Sequence, residues 1–185
     1  MTTKLATWIR PPDDQLPDAE RIWPWVNRRR TLAAKPYRRV VLVSSVVGMS
    51  HPSACDFRMD WRLRPGHDRS GYHRRKLQRL LRGFRNPSTG RRVPPLTQKL
   101  LLDPRFSRAT TLVFVGGAYF VENNLHRVAA AHILDRKKLL AEIRPWILRK
   151  GAPKDLCQWL IELRVGGRRS GLGHSGRGSS KCGYN

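Results

Sequence analysis

Arginine carries most of the chemistry this sequence offers. Arg58, Arg62, Arg64, Arg69, Arg74, Arg75, Lys76, Arg79, Arg82, Arg85, Arg91 and Arg92 fall in one stretch, opposed there only by Asp60 and Asp68. A guanidinium pairs bidentately with phosphate and stacks on bases, so the stretch predicts a polyanionic partner, with RNA favoured. Other chemistries have less to work with. Asp56, Asp60, Asp68, Asp103, Glu122 and Asp135 form no D-x-D pair and no H-E-x-x-H arrangement. Cys55, Cys157 and Cys182 are far apart and make no C-x-x-C. His51, Cys55, His67 and His73 lie near one another in sequence, but isolated histidines and cysteines are usually surface or core residues. The expectation is no catalytic residue, no metal and no cofactor.

The arginines need elements to aim them. Leu77, Leu80, Leu81 and Phe84 stand at i, i+3, i+4 and i+7, which predicts a helix over residues 71–84. Arg75, Arg79 and Arg82 repeat on another face of it. Such a helix docks on protein with one side and on phosphates with the other. Gly83 and Asn86-Pro87-Ser88-Thr89-Gly90 end it. Further phosphate contacts are expected from Arg28, Arg29, Arg30, Arg38 and Arg39 before the helix, from Arg136 and Lys137 after it, and from Arg168, Arg169 and Arg177 near the C-terminus.

Composition points the same way. The 185 residues hold 37 Lys and Arg against 13 Asp and Glu, a formal charge of +24 and a pI near 11.6. So much like charge opposes compaction and attracts polyanions. Anionic membrane is the rival partner, but no apolar run is long enough to span a bilayer and the cations are spread along loops. An apolar content of 39% is too high for a wholly disordered chain. The opening MTTKLATWIRPPDD lacks an apolar signal core; its Lys4, Arg10 and threonines are compatible with a short mitochondrial targeting sequence.

The chain divides into three parts. Residues 1–38 read as an extended arm rich in Pro and Trp, with Trp8, Trp23 and Trp25 as anchors and base stacking as the sharper alternative. Residues 39–165 read as a small RNA-binding core. Residues 166–185 read as a flexible basic Gly/Ser tail. The core's fold class is expected to be α+β and mainly helical. It has two short buried strands, VVLVSSVV at 40–47 and TTLVFV at 110–115, and further helices over 118–144 and 154–165. Gly116-Gly117 is read as a tight turn from strand to helix, because it fits neither phosphate-binding glycine spacing.

Two segments resemble a known family. Residues 74–92, RRKLQRLLRGFRNPSTGRR, are similar to the basic helix and glycine-aromatic-arginine turn of the bacterial-type large-subunit ribosomal protein family numbered twenty. Residues 134–143, LDRKKLLAEI, resemble that family's C-terminal acid-Arg-Lys triplet and apolar helix, and residues 154–163 its last helix. The likeness covers about a third of the chain. The two strands, the long arm and the short spacing between motifs depart from that all-helical family. The resemblance implies that Arg74, Arg75, Arg79, Arg82 and Arg85 line ribosomal RNA.

The expectation is thus a structural constituent of a ribosome, mitochondrial and with the large subunit favoured, or otherwise of a cytoplasmic ribonucleoprotein, with ribosomal RNA and neighbouring ribosomal proteins as partners and no small-molecule substrate. An RNA-processing enzyme or assembly factor with an α/β core, motivated by the strands and Gly116-Gly117, is the alternative. A DNA-compacting or nucleocapsid protein is the third possibility.

Overall fold

The computed structural model describes residues 19–50, 57, 61–64, 66–107 and 110–169. Seven strands are present among them: β1 (Tyr37–Leu42), β2 (Val46–Met49), β3 (Phe84–Arg85), β4 (Arg92–Val93), β5 (Thr111–Val115), β6 (Ala118–Asn123) and β7 (Lys138–Pro145). The helices are α1 (Arg28–Ala33), α2 (Tyr72–Arg82), α3 (Gln98–Leu102), α4 (Pro104–Ser107), α5 (Leu125–Ile133) and α6 (Lys154–Arg169). Five strands form one mixed sheet in the order β1-β7-β5-β6-β2, and β3 and β4 form a separate hairpin. The fold is α/β, which corrects the expectation of a mainly helical α+β core with two short strands.

The error lies in residues 118–144, expected as one helix. Gly116 and Gly117 both have positive φ, +56° and +90°. That is the requirement of a two-residue hairpin turn, so the chain reverses into β6 instead of entering a helix. β6 runs antiparallel to β5, with Phe120 opposite Val113 and Tyr119 opposite Phe114. Asn124, at φ +64°, ends β6 and starts α5. Asp135, at φ +50°, lies in the turn after α5. Asn and Asp tolerate this left-handed conformation better than other side chains. Beyond it, Leu139, Ala141 and Ile143 alternate inward along β7. A spacing of two and a helical spacing both fit Leu139, Leu140 and Ile143, and tertiary pairing decides for the strand. The segment Leu134–Ile143, which the ribosomal resemblance implies to be helical, is therefore a turn and a strand.

VVLVSSVV is divided too. Val43–Ser45 form a 3-10 turn in which the Ser45 hydroxyl donates to the Leu42 carbonyl at 2.6 Å. β1 is a largely exposed edge strand and β2 is a buried one. They occupy opposite edges of the sheet, yet only three residues join them. Five flat strands would separate the edges by about 19 Å. The four steps from Leu42 to Val46 reach roughly 14 Å at most. The sheet must therefore curl.

Alternation distributes the core over both faces. Leu112, Tyr119, Val121, Leu139, Ala141 and Ile143 pack with α2, α3 and α5. Val113, Val115, Ala118 and Phe120 pack with Leu156, Trp159, Leu160 and Leu163 of α6 and with Ile22 and Val26. A Cβ on Gly116 would lie 2.6 Å from Leu160 Cδ1, so the β5–β6 turn sits tightly under α6. Helix α6 continues through Gly166 and Gly167 to Arg169, past the point where the tail was expected to begin. The described part of the N-terminal arm forms 3-10 turns and α1 and is tied to the body. Asn27 N–H donates to Ile147 O at 2.7 Å, and Ile147 N–H to Thr31 Oγ1 at 2.9 Å.

Candidate nucleic-acid interface

Helix α2 has two chemically opposed sides. Leu77 is buried, and Leu80 and Leu81 pack against the same core. At 3.6 residues per turn, Tyr72, Arg75, Lys76 and Arg79 lie on the other side, and all four are exposed. Asp68 and Ser70 begin the helix. The Arg74 amide donates to Asp68 Oδ2 at 2.6 Å, and the Tyr72 amide to Ser70 Oγ at 3.2 Å. Gly83, at φ +74°, closes it and turns the chain into β3. No side chain fits there, since a Cβ would collide with the Val93 carbonyl oxygen.

The β3–β4 hairpin extends the basic surface. Arg85, Arg91 and Arg92 are exposed on it. Its turn is fixed by the Gly90 amide donating to Asn86 O at 2.8 Å and by Arg85 Nη1 donating to Gly90 O at 3.0 Å. Among the described residues, none of Arg69, Arg74, Arg75, Lys76, Arg79, Arg82, Arg85, Arg91 or Arg92 forms an ion pair with a carboxylate. Exposed cations that repel one another and have no internal counter-charge make a surface suited to a polyanion. Tyr72 adds a flat ring, 53% exposed, with Lys76 Nζ 5.7 Å from its centroid. Sequence reasoning passed over Tyr72, although its spacing from Arg75, Lys76 and Arg79 is helical.

The other expected contacts divide. Arg28, Arg29 and Arg30 are exposed on α1, with Arg28 Cζ 4.8 Å from the Trp23 ring. Arg38 is exposed on β1. Arg39, also on β1, lies against Tyr119, whose hydroxyl is raised above its ordinary range because burial outweighs the guanidinium. Arg62 and Arg64 follow Trp61, on either side of Leu63. Arg136 is a structural clamp, its Nε donating to Leu96 O at 3.0 Å. Lys137 pairs with Asp135 at 2.9 Å. Arg168 and Arg169 fall in the last turn of α6, and Arg177 lies outside the described residues.

Two histidines hold α2 and its surroundings to α5. His73 Nδ1 lies 3.0 Å from His126 Nε2, with the rings nearly parallel. His132 stacks on Trp61 at 4.2 Å. Burial lowers His126 to about 4, reinforced by Lys76 and His73 and opposed by Asp68. Burial also lowers His132 to about 4, opposed by the Val46 and Val43 backbone. Both folded values lie below 6.5, so between those limits the unfolded chain binds more protons. Stability is then complete above pH 6.5 and is lost as pH falls toward 4, by up to about 1.4 kcal/mol per proton per pH unit. The melting temperature is expected to drop by roughly 5 °C or more between pH 6.5 and 4.5. In His132→Gln the drop should be visibly shallower; an identical profile would contradict the assignment.

Comparison of the chain with known protein families, with curated proteins and with solved structures returns no match.

Proposed function

We propose that the protein is a structural RNA-binding component of a ribonucleoprotein particle, with a ribosome favoured and its mitochondrial large subunit as the specific setting. The observation that carries this reading is the cationic face of α2 and the β3–β4 hairpin, which has no carboxylate partner among the described residues. Its partners are ribosomal RNA and neighbouring ribosomal proteins. The mechanism is charge neutralisation: the leucine side of α2 fixes the helix to the core, and its arginines pair with phosphates and release counterions. Composition supports RNA over duplex DNA through the excess of arginine over lysine and through the exposed Tyr72 ring, which suits unstacked bases. The ribosomal resemblance at residues 74–92 adds to this, whereas the part at residues 134–143 lends no support because that segment is not helical. Sedimentation of the protein with ribosomal subunits tests the proposal.

A second reading, an assembly factor or RNA-processing enzyme, uses the same RNA face. It is favoured by the cleft beneath α1, which a purely structural role does not need. It differs in that such a protein leaves the mature particle.

A further inference from the structure

A cleft of about 720 Å³ opens on the face of the sheet opposite α2, between α1 and the ends of β6 and β7. This volume is within the roughly 300–1,000 Å³ of small-molecule sites. Trp23, Arg28, Glu122, Arg144, Pro145 and Trp146 are among the residues that line it. Trp23 and Trp146 form an angled wall, with ring centroids 5.2 Å apart and planes at 53°. Arg28 lies over the outer part of that wall, 4.8 Å from the Trp23 ring. The remaining lining is mostly aliphatic and proline.

Glu122 is the residue that stands out. It is an acid at the end of a buried strand, in a chain of strongly positive charge. Its Oε2 is shielded from water and makes no hydrogen bond. Arg144 Nη1 lies 3.1 Å away without the alignment of a bond. The same guanidinium is half exposed and reaches Glu142 through Nε at 3.4 Å, so it is shared between the two carboxylates. The oxygen is thus held by charge without an aligned hydrogen bond, in a side chain that is 30% exposed, and it belongs to the lining of a cleft with aromatic walls and a cation at its edge.

We infer that the cleft binds a guanine nucleotide. The carboxylate of Glu122 only accepts, and does so through two oxygens. Guanine presents two adjacent donors, N1–H and N2–H₂, on one edge. Adenine and cytosine each set a ring acceptor beside their amino group. Uracil flanks its single imino donor with carbonyl oxygens. The purine ring stacks on the indole wall, where each base–aromatic contact contributes substantially to affinity. The phosphate pairs with Arg28, whose edge remains available while its face covers Trp23. The guanine belongs either to a free nucleotide or to a nucleotide extruded from RNA. The RNA source rests on the proposed RNA-binding role, and the free nucleotide does not.

Calorimetric titration of the full chain with GMP, IMP and AMP tests the cleft alone. The expected order is GMP over IMP over AMP, with at least tenfold between the first and last. Glu122→Gln should remove that preference and weaken GMP at least tenfold. Because Glu122 also faces Arg144, a second variant guards against misfolding: Arg28→Ala should weaken GMP while leaving guanosine unchanged. A parallel arm uses a single-stranded RNA with one guanosine, or inosine in its place. A guanosine preference abolished by Glu122→Gln, without GMP binding, assigns the site to RNA. Equal affinity for GMP and AMP, or no guanine effect in either arm, overturns the inference. RNA binding that survives in Glu122→Gln through α2 leaves the proposed function standing, so the two failures are distinguishable.

Discussion

Replacing Arg75, Arg79 and Arg82 together by glutamine is expected to lower affinity for structured RNA about tenfold or more near 0.1 M salt. The plot of log affinity against log salt should flatten by roughly two to three units, because each lost phosphate contact removes close to one released counterion. Glutamine is shorter than arginine but uncharged, polar and equal to it in helix propensity. All three side chains are exposed. Among the described residues, the internal contact at risk is Arg79 over Phe84, at 5.4 Å from the ring, worth about 0.5–1 kcal/mol at an exposed site. Thermal unfolding should therefore change little. Fluorescence anisotropy across a salt series makes the measurement. An unchanged slope would remove α2 from the RNA surface.

The second large effect concerns the fold. Phe120→Ala is expected to cost about 3–5 kcal/mol, the range for emptying a fully buried aromatic site. Phe120 is fully buried in β6 and packs near Trp159, with ring centroids 6.3 Å apart. Against a total stability of about 5–15 kcal/mol, this places the variant near the threshold of folding. Leu32→Ala provides the comparison. Leu32 is 85% exposed on α1, so its loss should stay within about 0.5 kcal/mol. Urea titration followed by circular dichroism reads both. Equal effects at the two positions would contradict the placement of β6 at the centre of the core.

The helix that carries the candidate interface was more legible in the sequence than the sheet. Helix α2 announces itself because its leucines and arginines follow one unambiguous period, and Gly83 marks its end. β5 is likewise visible as a short β-branched run. β6 and β7 were hidden for different reasons. Ala118–Asn123 follows two glycines, and only the positive φ of both distinguishes a hairpin from a strand-to-helix turn. Leu139, Leu140 and Ile143 fit both periods, and the partner strands that settle the matter, β1 and β5, lie far away in sequence.

Long-range packing also redefined individual residues. Arg136 resembles its basic neighbours in sequence, but its bond to Leu96 reaches across 40 positions. Lys137 is neutralised locally by Asp135, a pairing the sequence spacing alone could have suggested. Glu122 lines a cleft only because α1 and the end of β7 lie beside it in the fold. Trp23, a candidate anchor or stacking residue in the sequence, becomes part of a wall with Trp146, far along the chain.

The proposed role is tested most directly by gradient fractionation of cells that make the protein, with mass spectrometry of each fraction at low and high salt. The account predicts that the protein sediments with a ribosomal subunit at low salt and is progressively released as salt rises. Absence from every ribosomal fraction at low salt would contradict it.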